Sequence, residues 1–113
     1  MKNAGTPTRP GEGKVAGDNL PDAFGISAVY PNPFNSSVRI EFSLAEEGSA
    51  TVDIYDLLAA RVATLVDRHI QQGVYSVTWN AKTDESEDLP SGVYFCKLRV
   101  GNERATQKIT LLR

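Results

Sequence analysis

From residue 24 onward the chain alternates between apolar and polar positions. In SVRIEFSL, residues 37–44, Val38, Ile40, Phe42 and Leu44 fall on one side of an extended backbone, and Ser37, Arg39, Glu41 and Ser43 fall on the other. A helix would scatter that set around its circumference, so the period of two predicts a strand. The same reading predicts strands over 24–30, 37–44, 49–56, 61–67, 73–81, 92–100 and 104–112, separated by turn residues. Their inward positions are Ala50, Val52 and Ile54, then Tyr75, Val77 and Trp79, then Tyr94, Cys96, Leu98 and Val100, then Ile109 and Leu111. Lys97 and Arg99 project to the other face. DLLAARVATLVD, residues 56–67, favours helix locally through its leucines and alanines. It ends in the strand-like VATLV, however, which predicts a hairpin turn at Leu58 to Ala60. Short strands with one apolar face each must stack as two sheets or close a barrel; seven of them in about 90 residues predict an antiparallel β-sandwich.

The 113 residues fit one domain, with a boundary near residue 24. Residues 1–23 hold Pro7, Pro10, Pro21 and four glycines with few bulky apolar side chains, the composition of a flexible linker leading into a sandwich over 24–113. A net charge of −2 gives no electrostatic reason to expect nucleic acid or an anionic membrane surface. No apolar run approaches the roughly 18 residues of a membrane span, so no membrane insertion is expected. The opening MKNAGTPTRPGEG lacks the apolar segment of a signal peptide, so an export signal of that kind would lie elsewhere in a longer protein.

Candidate chemistry is sparse. The single histidine, His69, is expected in a turn, and the chain carries no phosphate-cradling glycine motif, zinc-protease motif or nucleophile beside a base. No catalytic residue and no cofactor are therefore expected. The acidic turn TDESED, residues 83–88, offers Asp84, Glu87 and Asp88 as oxygen donors for calcium, but without the spacing of the helical calcium loop, and reads more simply as solvated surface. Trp79 falls on the inward side, where it would serve the core and not a carbohydrate platform.

YPNPFN, residues 30–35, precedes the second strand with two prolines that cannot donate to a ladder. Such a segment lies at an edge or crosses between sheets, with Asn32 and Asn35 bonding backbone in the corner and Tyr30 and Phe34 plugging the core. In LPSGVYFC, residues 89–96, Tyr94 stands two residues before Cys96, with Trp79 on an earlier strand. This is similar to the tyrosine corner and buried tryptophan of immunoglobulin-like sandwiches, without the disulfide partner; Cys96 is read as a small buried apolar group.

Taken in order, LPDAFGISAVYPNPFNSSVRIEFSL, VDIYDLLAARVATLVD, GVYSVTWNAK, LPSGVYFCKLRV and QKITLLR resemble the C-terminal sorting domain of type IX secretion substrates, over residues 20–113. The immunoglobulin-like domain of the flagellar hook-capping protein shares much of the pattern. The family signature falls on Tyr30, Pro31, Asn32, Pro33, Phe34, Asn35, Gly92 and Tyr94. The resemblance implies a non-catalytic address on the end of a larger exported bacterial protein, destined for the cell surface or medium. Its implied partners are the outer-membrane secretion machinery, a surface processing protease and the upstream domains of its own parent. By resemblance, recognition falls on the last strand and basic end: Lys108, Ile109, Leu111, Leu112 and Arg113. A structural spacer or assembly module, and a carbohydrate-binding module of a secreted enzyme, are the alternatives. Three positions depart from the family pattern: Ser36 replaces a proline, Ala59 a glycine that supplies positive φ in a tight turn, and Cys96 a residue more often aromatic.

Overall fold

In the computed structural model, which describes residues 23–113, the alternating segments are strands and no helix is present among them. In chain order they are β1 (Gly25–Tyr30), β2 (Val38–Leu44), β3 (Gly48–Tyr55), β4 (Arg61–Ile70), β5 (Gly73–Trp79), β6 (Gly92–Val100) and β7 (Glu103–Leu111). They form a three-stranded sheet ordered β1-β2-β5 and a four-stranded sheet ordered β4-β3-β6-β7, with every pair antiparallel. The expected immunoglobulin-like sandwich of seven strands is the observed architecture. Residues 1–22 of the expected linker lie outside the described residues.

The inward rows meet as one core. Val38, Ile40, Phe42 and Leu44 of β2 face Ala50, Val52 and Ile54 of β3, Cys96 and Leu98 of β6, and Ile109 and Leu111 of β7, all buried. Tyr75 and Val77 point inward as expected but are only half-buried, because β5 is an edge strand; Tyr75 stacks on Phe42 with ring centroids 5.7 Å apart. At one end Trp79 contacts Phe34 at 5.8 Å and Tyr94 at 5.5 Å, the latter edge to face. Its indole N–H donates to the Lys82 carbonyl, so Trp79 is core and presents no platform to a sugar. The Tyr94 hydroxyl donates back to the Pro90 carbonyl at 2.7 Å, completing the tyrosine corner.

Three local expectations are corrected. Tyr30 does not plug the core: it is 45% exposed and its hydroxyl donates to Glu41, while Phe34, at 2% exposed, fills that role alone. His69 lies not in a turn but on β4, which runs to Ile70 because Gly48 of β3 continues the pairing that far. Polar Asp67, Arg68 and His69 can all be exposed there because β4 is an edge strand. The fifth strand stops at Trp79 instead of 81, since Ala81 takes a φ of 61°, which no strand continues.

The expected turn at Leu58 to Ala60 is present, but it begins earlier, at Asp56, because β3 ends at Tyr55. Asp56 Oδ1 accepts from the amides of Leu58 and Ala60, and the Asp56 amide donates to the Ala60 carbonyl. Ala59 sits at a φ of 68°, the conformation the family's glycine would supply. In the β6–β7 hairpin Gly101, with φ 59°, occupies the first central position of the two-residue turn, as a type II′ connection requires.

Ala59→Gly should raise stability by about 0.5–1 kcal/mol, because the left-handed cost to alanine exceeds the extra chain entropy that glycine loses. Trp79→Ala should lower it by about 3–5 kcal/mol. Urea unfolding followed by far-UV circular dichroism measures both.

Candidate functional site

The sequence directs attention to the chain end, and there the YPNPFN segment and β7 are one structure. After β1 the chain leaves the three-stranded sheet through Pro31 and Pro33, whose peptide bonds to Tyr30 and Asn32 are both cis, and reaches the outer edge of β7 in the other sheet. There the Phe34 amide donates to the Thr110 carbonyl at 2.9 Å, and the Leu112 amide donates to the Phe34 carbonyl at 2.8 Å. Asn32 extends the pairing with its side chain: Nδ2 donates to the Lys108 carbonyl at 3.0 Å, and Oδ1 accepts from the Thr110 amide at 2.9 Å. The segment then returns to start β2. Of the edge position and the crossing that two closely spaced non-donating prolines allow, the segment takes the crossing.

The residues expected to carry recognition divide by burial. Ile109 and Leu111 are fully buried in the core, whereas Lys108 is exposed and Leu112 is 55% exposed. Arg113 folds back: its amide donates to Ser91 Oγ, Nε to the Leu89 carbonyl at 2.7 Å, and an Nη to the Ala81 carbonyl at 3.2 Å. It also lies 3.9 Å from Asp88, which pairs with Lys82. The Lys82 ammonium, through its hydrogen bond and charge, holds the Asp88 carboxyl below its ordinary value. Gly92 opens β6 directly opposite Leu111, and Pro31, Pro33 and Asn35 are exposed.

The acidic turn is tied to protein donors. Asp84 accepts from the Thr64 amide of β4, and Asp88 is held as described, leaving Glu87 exposed. Among the described residues no three His, Cys, Asp or Glu side chains converge to hold a metal ion. Burial pushes the Cys96 thiol up to about 12, with the Asp53 carboxylate adding to the shift. It is therefore neutral and inert in the folded protein.

Alternation of side chains did not reveal three features. Asp53 is buried facing outward from β3, where it accepts from Thr64 Oγ1 at 2.8 Å. An open groove of about 290 Å3 lies between Tyr55, Phe95, Lys97 and the 56–60 turn, with Lys97 Nζ 5.0 Å above the Tyr55 ring. Leu57 and Leu58 protrude beside it, 68% and 89% exposed. Arg99 stands directly across from Arg104 in the β6–β7 pair, which the glycine turn at 101 would have predicted from register alone.

Asn32→Ala should cost about 1–3 kcal/mol, the loss of two hydrogen bonds to β7, measured by urea unfolding. The Cys96 thiol ionises near 9 in the unfolded chain and about 12 in the fold, so its contribution is complete below pH 9 and declines as pH rises toward 12. Native protein should be unreactive to a thiol reagent at pH 8 and become fully reactive in denaturant.

Comparison with known proteins agrees with this architecture. A family model described as the secretion system C-terminal sorting domain matches residues 28–111, well over half of the chain. No curated protein sequence matches it. Among solved structures, PorZ of Porphyromonas gingivalis, described as an essential bacterial surface component of the type IX secretion system, superposes with a TM-score of 0.54 at 20% identity over 78% of this chain. Dimeric latent PorU of the same organism gives 0.59 at 18% identity over 77%. The chain spans only 11% and 9% of those two structures. FlgD of Pseudomonas aeruginosa gives 0.53 at 16% identity, covering 80% of this chain and 67% of its own. These likenesses establish the fold, and the family match establishes membership: the chain belongs to the C-terminal sorting domains of type IX secretion, which direct exported bacterial proteins to the cell surface or medium.

Proposed function

We propose that the folded sandwich, and within it the last strand with its clasp, is the feature the outer-membrane secretion machinery reads on this protein. The observation that carries the proposal is the Asn32–Phe34 clasp. It binds the family's signature segment to Lys108, Thr110 and Leu112, so that the chain end is displayed only when the whole domain is folded. In this reading Ile109 and Leu111 anchor the strand from inside, and Lys108, Leu112 and the partly exposed Arg113 present the surface. Residues upstream of the sandwich join it to a larger parent and give a surface protease access for removal of the domain. The domain performs no catalysis of its own; the neutral, buried Cys96 and the hydrogen-bonded carboxylates of the acidic turn support that reading.

Fusion of the whole chain to a reporter in a type IX-competent cell should carry the reporter to the surface or medium. Deletion of residues 105–113, which removes Ile109 and Leu111 from the core, should leave it in the periplasm. Normal export of the truncated fusion would refute the proposal.

A further inference from the structure

We infer that the uncovered part of the β7 edge docks an extended acidic segment of a partner protein, which would join the four-stranded sheet as a fifth strand beside Arg104, Thr106 and Lys108. This deepens the export reading and rests on it only for the source of the segment, a component of the secretion machinery.

The first observation is the ladder. Along β7 the groups facing away from β6 belong to even-numbered residues: the Lys108 carbonyl, both groups of Thr110 and the Leu112 amide are taken by Asn32 and Phe34. Strict alternation then points the Lys108 amide, and both backbone groups of Thr106 and Arg104, at the same edge. No hydrogen bond among the described residues reaches them. The clasp thus pairs one end of the edge, and although β1 of the other sheet packs near β7, it leaves these groups unpaired as a template for strand addition.

Charge is the second observation. Arg99 of β6 and Arg104 and Lys108 of β7 share the outer face of the sheet with Lys97, which stands across from Asp53 of β3; Arg99 and Arg104 are directly opposed, and neither β6 nor β7 carries an acidic residue on that face. Like charges placed across a ladder are destabilising. The ion pairs of the described residues lie elsewhere. In a chain of net charge −2 this concentration is local, and it selects the occupant. A second copy would bring the same cations to the same edge and be repelled. An extended segment with carboxylates four residues apart would set them beside Arg104 and Lys108 in either strand direction, while its backbone took the free edge groups. A diffuse polyanion or anionic bilayer would meet the cations and leave those backbone groups unpaired.

The probe is a fluorescein-labelled peptide, Thr-Glu-Val-Thr-Val-Glu-Val-Thr, titrated with the full chain and followed by anisotropy at low salt. It should bind, the analogue with lysine in place of glutamate should not, and Arg104→Glu with Lys108→Glu should weaken binding at least about tenfold, since reversing charges removes the complementarity. N-methylation of the peptide amides that face β7 should abolish binding, and methylation of the alternate amides should leave it intact; neither peptide alters the protein's own fold. No binding of the probe overturns the inference, and so does binding indifferent to methylation at either set, because that is loose polyanion attraction. In the reporter fusion, normal export of the double charge reversal would remove the role in sorting while leaving the family function standing. Failure of the unaltered fusion to be exported would instead overturn the export reading and leave the edge chemistry untouched.

Discussion

The structure depends on one excursion of the chain, the path from β1 to β2 by way of β7. The two sheets share no strand, and the apolar rows that press them together are indifferent to where the chain ends. Residues 31–37 tie the final strand to the opposite sheet, because the segment that leaves β1 in one sheet pairs with β7 in the other before it begins β2. Phe34 carries out both parts of this: its ring packs on Trp79 in the core, while its backbone pairs with Thr110 and Leu112. The side chain of Asn32 imitates one more residue of strand. The amide and carbonyl groups that would otherwise make the last strand fray are therefore satisfied by residues some 76 positions earlier in the chain.

That arrangement gives physical content to the idea of a folded address. The final strand is held in three ways: Ile109 and Leu111 by burial, its edge by the clasp, and Arg113 by the carbonyls of Leu89 and Ala81. Each depends on elements far away in sequence. A partially folded chain would present the same residues without the same shape. The rest of the molecule contributes packing more than chemistry, since its thiol is neutral and its indole is spent on an internal hydrogen bond.

Much of this was legible in the residues. The strand at 38–44 is unambiguous because β2 is central in its sheet and buries one face along its full length, so each second residue must be apolar. The turn around Leu58 to Ala60 could be placed because VATLV reads as strand, and its strained position was marked by alanine standing where the family resemblance implies glycine. Edge strands obscure the pattern: β4 tolerates Asp67, Arg68 and His69 in a row, which hid its last turnless residues. Tyr30 and Phe34 are both aromatic neighbours of a proline, and only the path of the backbone decides which one turns inward. The lock on Arg113 uses backbone carbonyls, which no side-chain pattern encodes.

Amide hydrogen exchange along β7 tests the account most directly. The amides of Thr110 and Leu112, bonded to Asn32 and Phe34, should exchange as slowly as the buried ladder of β6, while those of Arg104 and Thr106 on the open edge should exchange fast. If Thr110 and Leu112 exchange as quickly as Thr106, the clasp does not hold the chain end, and the claim that the signature segment and the final strand form one unit is wrong.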